Sequence, residues 1–259
     1  DRDPEVARTA GQLLADLAPE SLSQIANEVL LPCLGQAEES VQLSAAAALS
    51  AMPQPLVSAR LTLIRWIANP SAEQEIAAGV QFELARALGN MGPSATDAVP
   101  ALLGLLQRTS PQDGRLASGV LALGNIGMSD GQVLETLQGL HEAPRFGNRS
   151  EHQDPGFHRP SRIPPVHLAT IQALGQLGQG QETVIDLLVN VAASSSSEEA
   201  RLATFQALAQ VGLDQETAEF VFSIGLKDGS PAVQVVSCQH LAQLGNPANA
   251  ALAIAPMLH

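Results

Sequence analysis

The chain has 259 residues, enough for one or two ordinary domains or one elongated array. Thirteen Lys and Arg against 26 Asp and Glu leave a net charge of −13 and a pI near 4.7, which excludes a basic nucleic-acid footprint and disfavours an anionic membrane surface as partner. Apolar residues at 45% exclude global disorder, and aromatics at 3%, with one Trp and no Tyr, argue against β-sandwiches and barrels.

Ala, Leu and Gln dominate, which favours helix, and no run of 18 apolar residues is present. A first helix is predicted over about residues 4–18, closing on Leu14-Ala-Asp-Leu17. The same phrase returns at Leu49/Met52, Leu88/Met91, Leu123/Ile126, Leu174/Leu177, Leu208/Val211 and Leu241/Leu244. With the first Leu as anchor, the steps are 35, 39, 35, 51, 34 and 33 residues. Offsets −8, −4, −1, 0 and +3 from the anchor share one helical face, and the +3 position is apolar in all seven copies. Gly or Pro follows most copies and ends the helix.

Between anchors lies another amphipathic helix, as in Leu61–Ile67, Val99–Leu106 and Val184–Val191. Each unit is then two antiparallel helices that bury their apolar faces only by stacking on neighbours. About fourteen helices are expected, the last over about residues 247–259. The end helices lack partners and polar capping repeats, so the chain reads as a segment of a longer protein or, alternatively, as an array closed by two atypical capping helices.

The 51-residue step contains an insertion at 142–163, between the two helices of one repeat. Residues 141–165 hold four Arg against three acids, net +1, and the remaining residues sum to −14. A loop of this length is either a basic segment folded onto the acidic array or a contact element. In the second case Phe146 and Phe157 are apolar anchors, and Arg145, Arg149, Arg159 and Arg162, with His158, are the polar contacts. A metal site from His141, His152, His158 and Glu142 has no zinc-like spacing.

Offsets −2 and +2 lie opposite the anchor. They read Arg86 and Asn90, then Leu121 and Asn125, then Gln172 and Gln176, Gln206 and Gln210, Gln239 and Gln243. Such a row of amides can donate to and accept from an extended peptide, or can be a solvated face. Cys33 and Cys238 sit in apolar helical patterns and read as buried free thiols. Glu38-Glu39 and Glu198-Glu199 suit helix starts. No phosphate loop, nucleophile elbow or His-Glu-x-x-His is present, and Asn148-Arg149-Ser150 is a formal glycosylation sequon.

The stretches Ala85–Gly92 and Asp97–Leu103 resemble the HEAT-repeat family, closest to the short HEAT-like repeats of the phycobilisome-lyase type. The resemblance implies an all-α fold, a right-handed α-solenoid of about seven two-helix repeats with the anchor helices lining the concave surface. Residues 1–259 are expected to form one such array. The family's Arg after the first Val survives only as Arg201; Ala7, Gln42, Gln81, Leu116, His167 and Gln234 replace it, so the inter-repeat Asp–Arg pairs are expected to give way to packing.

The function expected is a non-catalytic protein-interaction scaffold binding another protein or peptide along the concave face and through the 142–163 loop, with no cofactor, no metal, no nucleic acid and no membrane insertion. A bilin lyase subunit, or a purely architectural segment, is the alternative. The oligomeric state is left open, and a soluble, cytoplasmic setting is favoured.

Overall fold

The structure, a computed structural model, describes residues 6, 9–10, 19–36, 38–52, 58–68, 77–111, 113–142 and 165–244. Twelve helices follow one another there, and no strand occurs among the described residues. The expected helices at 4–18 and 247–259 lie outside them, apart from Val6, Thr9 and Ala10. Contacts gather into two compact units, Asp1–Ala143 and Pro144–His259. No helix of the described residues is long and apolar enough to cross a membrane.

In the first unit α1 runs over Pro19–Ile25, passes through a π-helical stretch at Ala26–Leu30 and ends at Leu31–Leu34. Pro32 explains the widened turn: proline has no N–H and its ring crowds the carbonyl four residues back. The Leu31 N–H accordingly reaches back to the Ala26 carbonyl. Then come α2 (Glu39–Ala51), α3 (Arg60–Ala68), α4 (Ala78–Asn90), α5 (Val99–Arg108), α6 (Leu116–Ile126) and α7 (Gly131–Glu142). Pro100 sits in the first turn of α5, where its missing N–H costs nothing. Gly127 closes α6 in the left-handed region at φ 77°.

The second unit holds α8 (Pro165–Leu177), α9 (Glu182–Ser194), α10 (Glu198–Gln210), α11 (Gln215–Gly225) and α12 (Pro231–Gln243). Ser197, Asp214 and Ser230 cap the last three by accepting the N–H three residues on. Glu39 and Glu198 begin α2 and α10, as their charge favours.

The anchor helices pack on one another in succession within each unit: α2, α4 and α6 in one, α8, α10 and α12 in the other. Anchors Leu49, Leu88, Leu123, Leu174, Leu208 and Leu241 are buried, as are Met52, Met91, Ile126, Leu177 and Val211 three residues on. Each such side chain contributes about 1.5–3 kcal/mol of burial. In the second unit the −4 position is a buried hydroxyl. Thr170, Thr204 and Ser237 donate at 2.7, 2.7 and 2.8 Å to the carbonyl four residues back, so no polar atom is stranded there.

Glycine at the position after the anchor sets the spacing. A Cβ on Gly89 would stand 2.6 Å from the Ala122 Cα, and one on Gly175 would stand 2.7 Å from the Ala207 Cα. The helix backbones approach because one partner has no side chain.

Polar contacts also cross between repeats, beside the packing. Arg201 Nε and Nη2 donate to Asp228 at 2.8 and 2.9 Å. Arg60 Nε stands 3.2 Å from Asp97 Oδ2, and Arg108 donates to the Ile67 carbonyl at the end of α3 at 2.6 Å. Two of the three Gln that stand at the position of Arg201 in other repeats keep one of its contacts. Gln42 and Gln234 each donate to the carbonyl six residues back, Gln36 at 2.6 Å and Asp228 at 2.7 Å, which is the reach of Arg201 to Ser195. Cys33 in the last turn of α1 and Cys238 on α12 are free but half-buried, a correction to the buried placement, because the neighbouring Leu34 and Ser237 take the buried positions of those turns.

Candidate functional site

The expected contact residues separate into three groups. Arg145, Phe146, Arg149, Phe157, His158, Arg159 and Arg162 lie outside the described residues, as does the whole 143–164 stretch between α7 and α8. Arg86, Asn90 and Asn125 belong to the first unit, and the six Gln to the second.

Arg86 and Asn90 are occupied. Ser50, buried on α2, takes a hydrogen bond from Arg86 Nη2 at 2.6 Å on its hydroxyl and one from Asn90 Nδ2 at 2.6 Å on its carbonyl. The Ser50 hydroxyl lies 3.0 Å from Glu83 Oε2, and Glu83 pairs with Arg86 at 2.8 Å. These side chains bind one repeat to the next. Asn125 is exposed on α6.

The glutamines are placed differently. Gln172, Gln206, Gln210 and Gln239 line one open groove of about 640 Å³ across α8, α10 and α12. Gln243 is exposed beyond it, and Gln176 is half-buried, with its Oε1 enclosed and without a hydrogen-bond partner among the described residues. At the −2 offset Gln172, Gln206 and Gln239 stand one per helix, a true row across the stack.

A second row runs one helical turn nearer the N-termini: Leu168, Leu202 and Val236. Offset −6 carries Leu168 and Leu202 but Val235 in the last copy, so this row keeps no single offset from the anchor and the repeat pattern of the sequence does not display it. Ala203 and Ala207 of α10 form a low floor between these side chains, and Glu199 lies at the N-terminal end of α10. The close α8–α10 approach at Gly175 supplies that geometry.

The groove is neither basic nor metal-like. It combines amides that donate and accept with an apolar strip, the means by which an extended backbone and its side chains are held together. In the core of the same unit, the tilted rings of Phe222 and Phe205 have centroids 6.1 Å apart, and Phe222 lies 4.3 Å from His240. Burial pushes the His240 imidazole below its ordinary pKa. Gly225 makes room for this cluster, since a Cβ there would lie 2.7 Å from the Phe205 ring.

Residues 80–108, spanning most of α4, the turn after it and α5, match the family model of the PBS lyase HEAT-like repeat. The chain thus carries a HEAT-like repeat of that type, and its helix-on-helix packing agrees with a HEAT-like solenoid fold. A search of curated proteins returns no match.

Proposed function

We propose that the chain is a non-catalytic interaction scaffold that binds an extended segment of another protein in the α8–α10–α12 groove. One observation carries this reading: Gln172, Gln206 and Gln239, contributed by three successive anchor helices, converge with Leu168, Leu202 and Val236 on a single groove. A segment lying along α10 meets Gln206 and Gln210 beneath it and Gln172 and Gln239 on either side. Its backbone N–H and C=O groups find partners in the amides, and apolar side chains rest on the leucines. The 142–163 insertion, with its four Arg, is the second contact in this reading.

The test is capture from a lysate of the source. The intact chain, the Gln172→Ala/Gln206→Ala/Gln239→Ala variant and a version with the insertion shortened are compared by mass spectrometry. A protein held by the intact chain and lost from the triple variant supports the groove. A set of captured proteins identical for intact and triple variant refutes it. The match at 80–108 favours one further reading, a subunit of a bilin lyase. That reading requires visible absorbance in the captured material.

A further inference from the structure

We propose that the segment seated in this groove carries a lysine or arginine whose cation is held by Glu199, next to an apolar side chain resting on Leu202. The inference rests on the groove reading above and adds the chemistry of the occupant.

The argument starts from charge. Residues 165–244 contain eight carboxylates and two bases, Arg201 and Lys227. Arg201 is committed to Asp228 through both prongs of its guanidinium. Glu199 forms no ion pair among the described residues, yet it is part of the groove wall. The carboxylate is exposed and therefore hydrated while the groove is open. A neutral or acidic segment laid over it strips that water and leaves an unpaired charge. A basic segment replaces the water with an ion pair. The groove thus discriminates by penalising the wrong occupant as much as by attracting the right one.

Spacing places the cation. On α10 the groove runs from Glu199 to Gln210, about 16 Å at 1.5 Å per residue. An extended chain covers that length in about five residues, with same-side side chains about 7 Å apart. Leu202 and Ala203 lie about 5 Å along the axis from Glu199, which matches an apolar side chain two positions from the basic one. The methylene stem of a lysine or arginine also covers Leu202 while its head reaches Glu199.

The experiment selects random nonapeptides, displayed on phage, against the full chain and against its Glu199→Gln and Glu199→Lys variants. Thermal melts show that each variant is folded. The expected result is enrichment of Lys or Arg two positions from an apolar residue. A synthetic peptide of that kind should bind Glu199→Gln about fivefold more weakly, the size of a partly exposed ion pair. On Glu199→Lys the enriched charge should change to Asp or Glu. Peptides that need Gln172, Gln206 and Gln239 but show no basic preference, or bind Glu199→Gln equally well, overturn the cation assignment and leave the groove standing. If no selected peptide depends on those glutamines, the assignment and the groove reading fall together.

Discussion

Arg201 on α10 grips Asp228, in the turn before α12, with two charge-assisted hydrogen bonds of 2.8 and 2.9 Å. The same aspartate receives the Ser230 N–H at 2.8 Å, and its carbonyl receives Gln234. Ser230 in turn donates to Glu198 at 2.7 Å, at the start of α10. One carboxylate therefore ties two helix starts together. The Arg201 guanidinium, joined by burial acting in the opposite sense and by the Ser230 N–H, holds its pKa below the usual carboxylate value.

The first prediction follows from that lowered pKa. Its stabilisation is complete above the unfolded carboxylate value, about 3.9, and is lost as pH falls through the lower folded value. Asp228→Asn should cost about 1–2 kcal/mol at neutral pH. It should also flatten the acid limb of the stability curve. Urea unfolding followed from pH 7 down to the acid limit checks both parts; a parallel acid limb in the variant contradicts the assignment.

Glycine supplies the second prediction. Alanine is ordinarily the better helix residue by about 1 kcal/mol. At Gly89 and Gly175 the order should reverse, because the new methyl meets the backbone of Ala122 or Ala207. Each substitution to Ala should destabilise by about 1–3 kcal/mol. Gly139→Ala on α7, where nothing lies within 4 Å, should instead stabilise by about 0.5–1 kcal/mol. Denaturation midpoints of the three variants decide whether close approach, and not propensity, governs these sites.

Much of this architecture is legible in the sequence because solenoid packing repeats its demands every 33–39 residues, apart from the one step of 51, and the anchor and +3 positions carry them in each copy. The polar cross-links are harder to read, since each depends on what the preceding repeat offers. Arg86 and Gln206 share the −2 offset. The position after the preceding anchor is Ser50 for Arg86 and Gly175 for Gln206. Ser50 supplies a hydroxyl and draws Arg86 into the stack; Gly175 supplies no side chain and Gln206 stays exposed in the groove. The stripe read as one functional face is thus two things, and only a pairwise reading of neighbouring repeats separates them.

That contrast makes the third prediction. Arg86→Ala removes the donor to the buried Ser50 hydroxyl and the cation beside Glu83, and should destabilise by about 1–3 kcal/mol. Gln206→Ala removes an exposed side chain and should change stability by no more than about 0.5 kcal/mol. Equal losses in the two variants would place Gln206 in the stack and remove the reason for assigning it to a binding groove.

The last prediction concerns His240. The imidazole packs on Phe222, and burial lowers its pKa, so the folded chain favours the neutral ring. Because the folded value lies below the unfolded one, about 6.5, this contribution is complete above that value. It declines as pH falls through the folded value, since the unfolded chain takes up the proton first. Amide hydrogen exchange across α11 and α12 should therefore accelerate on going from pH 7 to mildly acidic solution, after correction for the intrinsic pH dependence of exchange. The Asp228 contribution is still intact in that range, so the two effects separate by pH. His240→Gln should abolish the mildly acidic change and leave the Asp228-dependent loss at lower pH. Persistence of the mildly acidic change in His240→Gln would assign it to another group.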